Sequence, residues 1–184
     1  MTFQLRSALS AAALLALMAA APAFAAGSGS DEAPKPTETT TKCEKGFAWD
    51  EKKQKCLEIV EGNLDNDTLF KAAREYAYFG RPEEALVALA AMTEGDTDRV
   101  LTYKGFANRK ADRVEEGFAF YQAALEQNPD NLLVRSYMGQ GYVDMGEMTL
   151  ASTQLDEIVA RGGAGSWAER SLRNAITTGV TYSF

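Results

Sequence analysis

Gly105 and Gly139 stand 34 residues apart, and the chain after each repeats one pattern. Twelve residues on comes a small residue, Gly117 or Ala151; sixteen on, a large one, Tyr121 or Leu155; nineteen on, Ala124 or Ile158. A copy 32 residues upstream begins at Ala73 and continues through Ala85, Leu89 and Met92. Two helices approach closely only where their facing side chains are small, and larger residues then plug the gap to the next unit. A chain with this spacing is constrained to stack similar units side by side.

The local texture agrees. From Leu64 to Thr178 apolar residues recur at three and four, the period of amphipathic helices. The pattern predicts helices near 66–79, 82–93, 98–110, 113–127, 131–145, 148–161 and 166–178. Pro82 suits a helix start just after Gly80 ends the previous one. Asn128-Pro129-Asp130-Asn131 reads as a break followed by a cap, and Gly146 and Gly162-Gly163 close two further helices.

The spacing resembles the tetratricopeptide repeat (TPR), a 34-residue helix–turn–helix unit. Leu101 through Pro129 is the most similar unit; Tyr142-Val-Asp-Met-Gly146 and Tyr76-Ala-Tyr-Phe-Gly80 resemble the family's aromatic-to-turn-glycine stretch. Leu101 and Arg135 stand where the family has a strong Trp. The resemblance implies an all-α, TPR-like right-handed helical solenoid of about three hairpins over residues 63–184. The last helix, with Trp167, Leu172 and Ile176, is expected to cap it. In that family the first helix of each hairpin lines a concave groove. Carried over, the groove candidates are Phe70, Lys71, Arg74 and Tyr78 on the first, and Arg99, Tyr103, Phe106, Arg109 and Lys110 on the second. Tyr137, Gln140 and Asp144 follow on the third.

The N-terminal part has a different composition. Arg6 precedes an apolar run from Ala8 to Ala21, Pro22 breaks it, and Ala23-Phe24-Ala25 gives the small-x-small pattern of a cleavage site. Residues 1–25 therefore read as a bacterial signal peptide, and the periplasm is the expected location. Residues 26–42 are Gly, Ser, Pro, Thr and charge, without a large apolar residue. Such a segment buries too little surface to offset its ordering entropy, so a disordered linker is expected. Residues 43–62 contain the two cysteines, Cys43 and Cys56. In an exported protein the pair is expected to be oxidised, bridging a small hairpin with Phe47 and Trp49 on one strand face. This piece resembles the first half of a peritrophin-type chitin-binding module. Phe47 and Trp49 either stack on a glycan or dock a partner, or pack over the bridge as a miniature core.

Composition limits the chemistry. The 184 residues include no His, which removes the commonest general base and His-containing zinc sites. No phosphate-binding glycine loop is present, and Gly162-Gly163-Ala164-Gly165 lacks the Lys and Ser/Thr such a loop needs. The net charge is −7, and −8 once Arg6 is removed with the signal; a nucleic-acid binder would be basic. No stretch in 26–184 is apolar for long enough to span a bilayer. The expectation is a non-catalytic interaction module of the cell envelope, without cofactor or metal, holding a protein or peptide partner in the groove. The alternative is envelope glycan or peptidoglycan binding through the Cys43–Cys56 hairpin.

Overall fold

The computed structural model describes residues 32–181. The signal-peptide reading of residues 1–25, the first part of the linker, and Tyr182–Phe184 lie outside the described residues.

The protein is mostly helical with one small sheet. A helical turn, α1 (Glu38–Thr41), leads to an antiparallel hairpin of β1 (Phe47–Asp50) and β2 (Lys55–Glu58). The register sets Trp49 opposite Cys56 and Ala48 opposite Leu57. Cys43 and Cys56 form a disulfide as expected. Then come α2 (Asn66–Tyr78), α3 (Pro82–Ala90), α4 (Asp98–Lys110), α5 (Val114–Gln127), α6 (Leu132–Asp144), α7 (Met148–Ala160) and α8 (Trp167–Thr178). Consecutive helices pack as pairs, α2 on α3, α4 on α5 and α6 on α7. The first helices also meet one another in the series α2–α4–α6–α8. The result is a helical, repeat-like stack.

The boundaries follow from local chemistry. Asp65, Asn131 and Ser166 cap α2, α6 and α8 by accepting from the backbone N–H groups of Thr68, Val134 and Glu169. Pro82 is the first residue of α3. Between α4 and α5 no glycine is available, and Asp112 takes the left-handed conformation, with φ 61°. The third helix of the chain is shorter than its apolar pattern predicts: α3 ends at Ala90 rather than near 93.

Small residues perform the packing role expected of them. A Cβ on Gly105 would lie 2.5 Å from the Tyr121 ring and 2.9 Å from the Gly117 carbonyl oxygen. α4 and α5 therefore approach to backbone contact through Gly105 and Gly117, and Tyr121 covers the seam. A Cβ on Gly139 would meet Leu172 of α8 at 2.5 Å, so the equivalent glycine of the next unit admits the last helix instead.

One expectation for the N-terminal part is corrected. Residues 26–42 do not read as a disordered linker throughout, because Glu38–Thr41 is helical and is held from a distance. Glu75 of α2, 3% exposed, accepts from Thr37 N (2.8 Å), Thr37 Oγ1 (2.6 Å), Thr40 N (3.1 Å) and Thr40 Oγ1. Four donors on one buried carboxylate satisfy it fully and fix the turn. Residues 43–62 pack onto the helices. Ala48 and Ile59 belong to the same buried cluster as Leu69, Tyr76, Ala85, Phe106 and Tyr137. The Tyr76 hydroxyl donates to the Phe47 carbonyl, tying β1 to α2. Two smaller clusters close the far end, Val143–Ala151–Ala175 and Ile158–Ala168–Leu172.

Candidate functional site

The predicted groove residues come from α2, α4 and α6, and the fold does bring them together. Their aromatic members do not line an open groove. Phe70, Tyr78, Tyr103, Phe106 and Tyr137 are all buried, the last with no exposed surface. Their rings form one interlocked group. Phe70 meets Tyr103 edge-on at 5.3 Å, and Phe106 lies 4.6 Å from Tyr137 and 5.1 Å from Tyr78. Trp167 of α8 joins at 6.2 Å from Tyr137. The correction has a geometric cause. α2 and α6 are two units apart in the stack, yet the Tyr78 and Tyr137 hydroxyls are 2.6 Å apart. The inner side chains of the first helices meet directly and are part of the core.

Polar atoms inside this group are paired. The Tyr137 hydroxyl sits between those of Tyr78 and Tyr103, the latter 3.2 Å away. Arg74 Nε donates to the Tyr103 hydroxyl at 2.9 Å. Burial, then the neighbouring Tyr103 and Tyr78, push the Tyr137 phenol well above its ordinary range. Gln140, also fully buried, donates to the hydroxyls of Ser136 (3.3 Å) and Ser171 (3.1 Å) and so ties α6 to α8.

The basic residues divide by exposure and pairing. Arg74 Nη2 donates to the Glu32 carbonyl at 2.8 Å. Arg99 is held by Glu94 and Asp67 and stacks over the Phe70 ring. Arg109 runs inward past Gly117 and Gly141, with a side chain only 3% exposed, and pairs with Asp144. Burial disfavours its charge, but the Tyr121 hydroxyl and Asp144 carboxylate outweigh that and hold it protonated. Its Nε and Nη2 make no hydrogen bond, and neither does the buried Tyr121 hydroxyl. Lys110, next along α4, is half-buried, with its ammonium 5.7 Å from the Phe106 ring centre. Burial, reinforced by Arg109, lowers its pKa to about 8. Lys71 is exposed. Of the predicted basic strip, Lys71 and Lys110 are the cations that reach the surface without a carboxylate partner among the described residues.

The hairpin candidates have structural employment. Trp49 and Phe47 are half-buried. Lys42 lies over the Trp49 ring at 5.3 Å, the Trp49 N–H donates to Thr39 Oγ1 at 3.1 Å, and the Phe47 carbonyl receives Tyr76. The cavity beside Trp49, lined also by Thr37, Thr39, Lys71 and Glu75, has about 50 Å³. A sugar-sized ligand needs several times that.

Sequence reasoning missed Glu75, which no spacing rule singles out, and placed Trp167 in the cap rather than against the aromatic group. Among the described residues no cluster of three or more His, Cys, Asp or Glu is arranged to hold a metal ion. Among them, too, no helix is long and apolar enough to cross a membrane. No protein-family model matches the chain, and neither a curated protein nor a solved structure matches it.

Proposed function

We propose that this protein is a non-catalytic interaction scaffold of the bacterial cell envelope, built as a TPR-like solenoid and holding a protein or peptide partner along its first-helix face. The supporting observation is the alignment of α2, α4 and α6, which sets repeat-equivalent Tyr103 and Tyr137 side by side. Because the aromatic residues of that face are internal, the partner meets its rim. Lys71, Lys110 and the outer parts of Arg74 and Arg99 present the side chains available there. Rim charges chiefly speed encounter and make binding salt-dependent. The periplasm is the proposed location, on the strength of the N-terminal pattern of residues 1–25.

The test is photo-crosslinking in intact bacteria expressing the full chain, with the crosslinking amino acid at Lys71, at Lys110, or at the exposed Glu126 on α5. The reading expects one shared adduct from the first two positions and none from Glu126. Adducts from Glu126 alone would transfer the contact to the second-helix face.

A further inference from the structure

Two cations, Arg109 and Lys110, converge on one aromatic ring at the end of α4. The guanidinium carbon lies 5.6 Å and the ammonium 5.7 Å from the Phe106 ring centre. One carboxylate serves them. Asp144 gives one oxygen to Arg109 Nη1, and its other oxygen accepts from Thr181 Oγ1 at 2.7 Å. The same carboxylate also acts on Lys110 through its field. Arg109 Nε and Nη2 make no well-formed hydrogen bond, and the buried Tyr121 hydroxyl beside them supports the guanidinium electrostatically. A partly desolvated cluster with two positive charges and one negative is costly unless another anion completes it.

The ordinary explanation for Lys110 is its place in the last turn of α4, where the helix dipole welcomes a cation. That stabilisation would favour the charged form, whereas burial and Arg109 act against it. The groups facing Lys110 are Arg109 on its own helix and Asp144 at the end of α6.

We propose that Lys110, backed from beneath by Arg109, receives a carboxylate from an acidic side chain of the partner. The proposal rests on the interaction-scaffold reading and names its partner chemistry: a segment bearing Asp or Glu. Lys110 makes the direct contact. Arg109 is a positioning residue; its guanidinium is sealed from solvent and contributes its field, while Asp144 keeps it oriented. The Phe106 ring, 5.7 Å from the ammonium, offers it a favourable aromatic face.

Chemical-shift titration of the isotope-labelled protein with acetyl-Gly-Glu-Glu-Gly-amide tests this, with the Gln-for-Glu peptide as control. The expected result is millimolar binding of the Glu peptide that moves the Lys110, Ala111 and Asp144 amides, with no comparable response to the Gln peptide. Lys110→Gln should weaken the Glu peptide about fivefold, and Lys110→Arg should retain it within about twofold. Unchanged thermal melts of both variants establish that they are folded. Equal responses to the two peptides, no response at millimolar peptide, or indifference to Lys110→Gln each overturn the proposal. Shared crosslinks at Lys71 and Lys110 alongside such a failure would leave the scaffold reading standing; loss of both would remove it too.

Discussion

Tyr103 and Tyr137 are 34 residues apart in the chain, and their hydroxyls are 3.2 Å apart in space. A periodic sequence has become a periodic structure at this point, and the price of that closeness is that neither ring is available at the surface. The Tyr137 hydroxyl joins α2, α4 and α6 at once, which makes it a sensitive point for stability.

Tyr137→Phe should destabilise the fold by about 1–3 kcal/mol, because the buried Tyr78 hydroxyl loses its neighbour there. Urea unfolding followed by circular dichroism measures it. A neutral result would mean that the Tyr78 hydroxyl finds equal pairing without Tyr137.

Gly105→Ala should cost about 1–3 kcal/mol, despite the better helix propensity of Ala, because the new methyl meets the Tyr121 ring and the Gly117 backbone. Glu126→Ala, exposed on α5, should lie within about 0.5 kcal/mol of neutral. Equal midpoints for the two variants in the same denaturant series would show that α4 and α5 separate freely.

Much of the fold was legible because Gly, Pro and Asx residues punctuate strong helical periodicity. Pro82, Asn131 and Gly146 mark boundaries by backbone chemistry that operates within a few residues. α1 was not legible, since nothing in Thr37–Thr41 is apolar and its partner, Glu75, is more than 30 residues away. The burial of the groove aromatics was not legible for a related reason. Periodicity tells which residues share a face, whereas the burial of Tyr78 against Tyr137 depends on how helices two units apart meet in space.

The hairpin's share of the core decides what truncation does. A chain beginning near Gly62 lacks Ala48 and Ile59 and leaves Glu75 buried-side without its threonine donors. It should melt at lower temperature and less cooperatively than the full chain. Replacing both cysteines by Ser in the full chain should cost about 2–4 kcal/mol. Calorimetry on the three proteins checks both; superimposable melts would show that the hairpin is energetically separate.

Lys110 gives stability an alkaline dependence with a definite sign. Below about pH 8 it is charged in both folded and unfolded chains, and its burial penalty is fully present. Between about 8 and the unfolded value of 10.5 the folded protein sheds the proton first, so stability rises with pH. Tyr76, pushed up to about 12 by burial, acts oppositely above its ordinary value of 10.0, where the unfolded chain ionises first. Urea midpoints should therefore climb from pH 8 towards 10 and then fall. Lys110→Met should remove the climb and keep the fall; an unaltered climb would assign it to another group.

A stack of like units has an inherent growth problem, since each exposed end resembles the surface its own interior recognises. Here the described array presents no such end. The disulfide-linked hairpin and its threonine turn lie over α2, while α8 buries Ala168, Leu172 and Ala175 and turns Arg170, Arg173, Asn174 and Thr177 outward. Each terminus of the stack is thus sealed by an element of different chemistry from the repeats. Among the described residues, the two ends of the stack differ in chemistry both from the repeats and from each other.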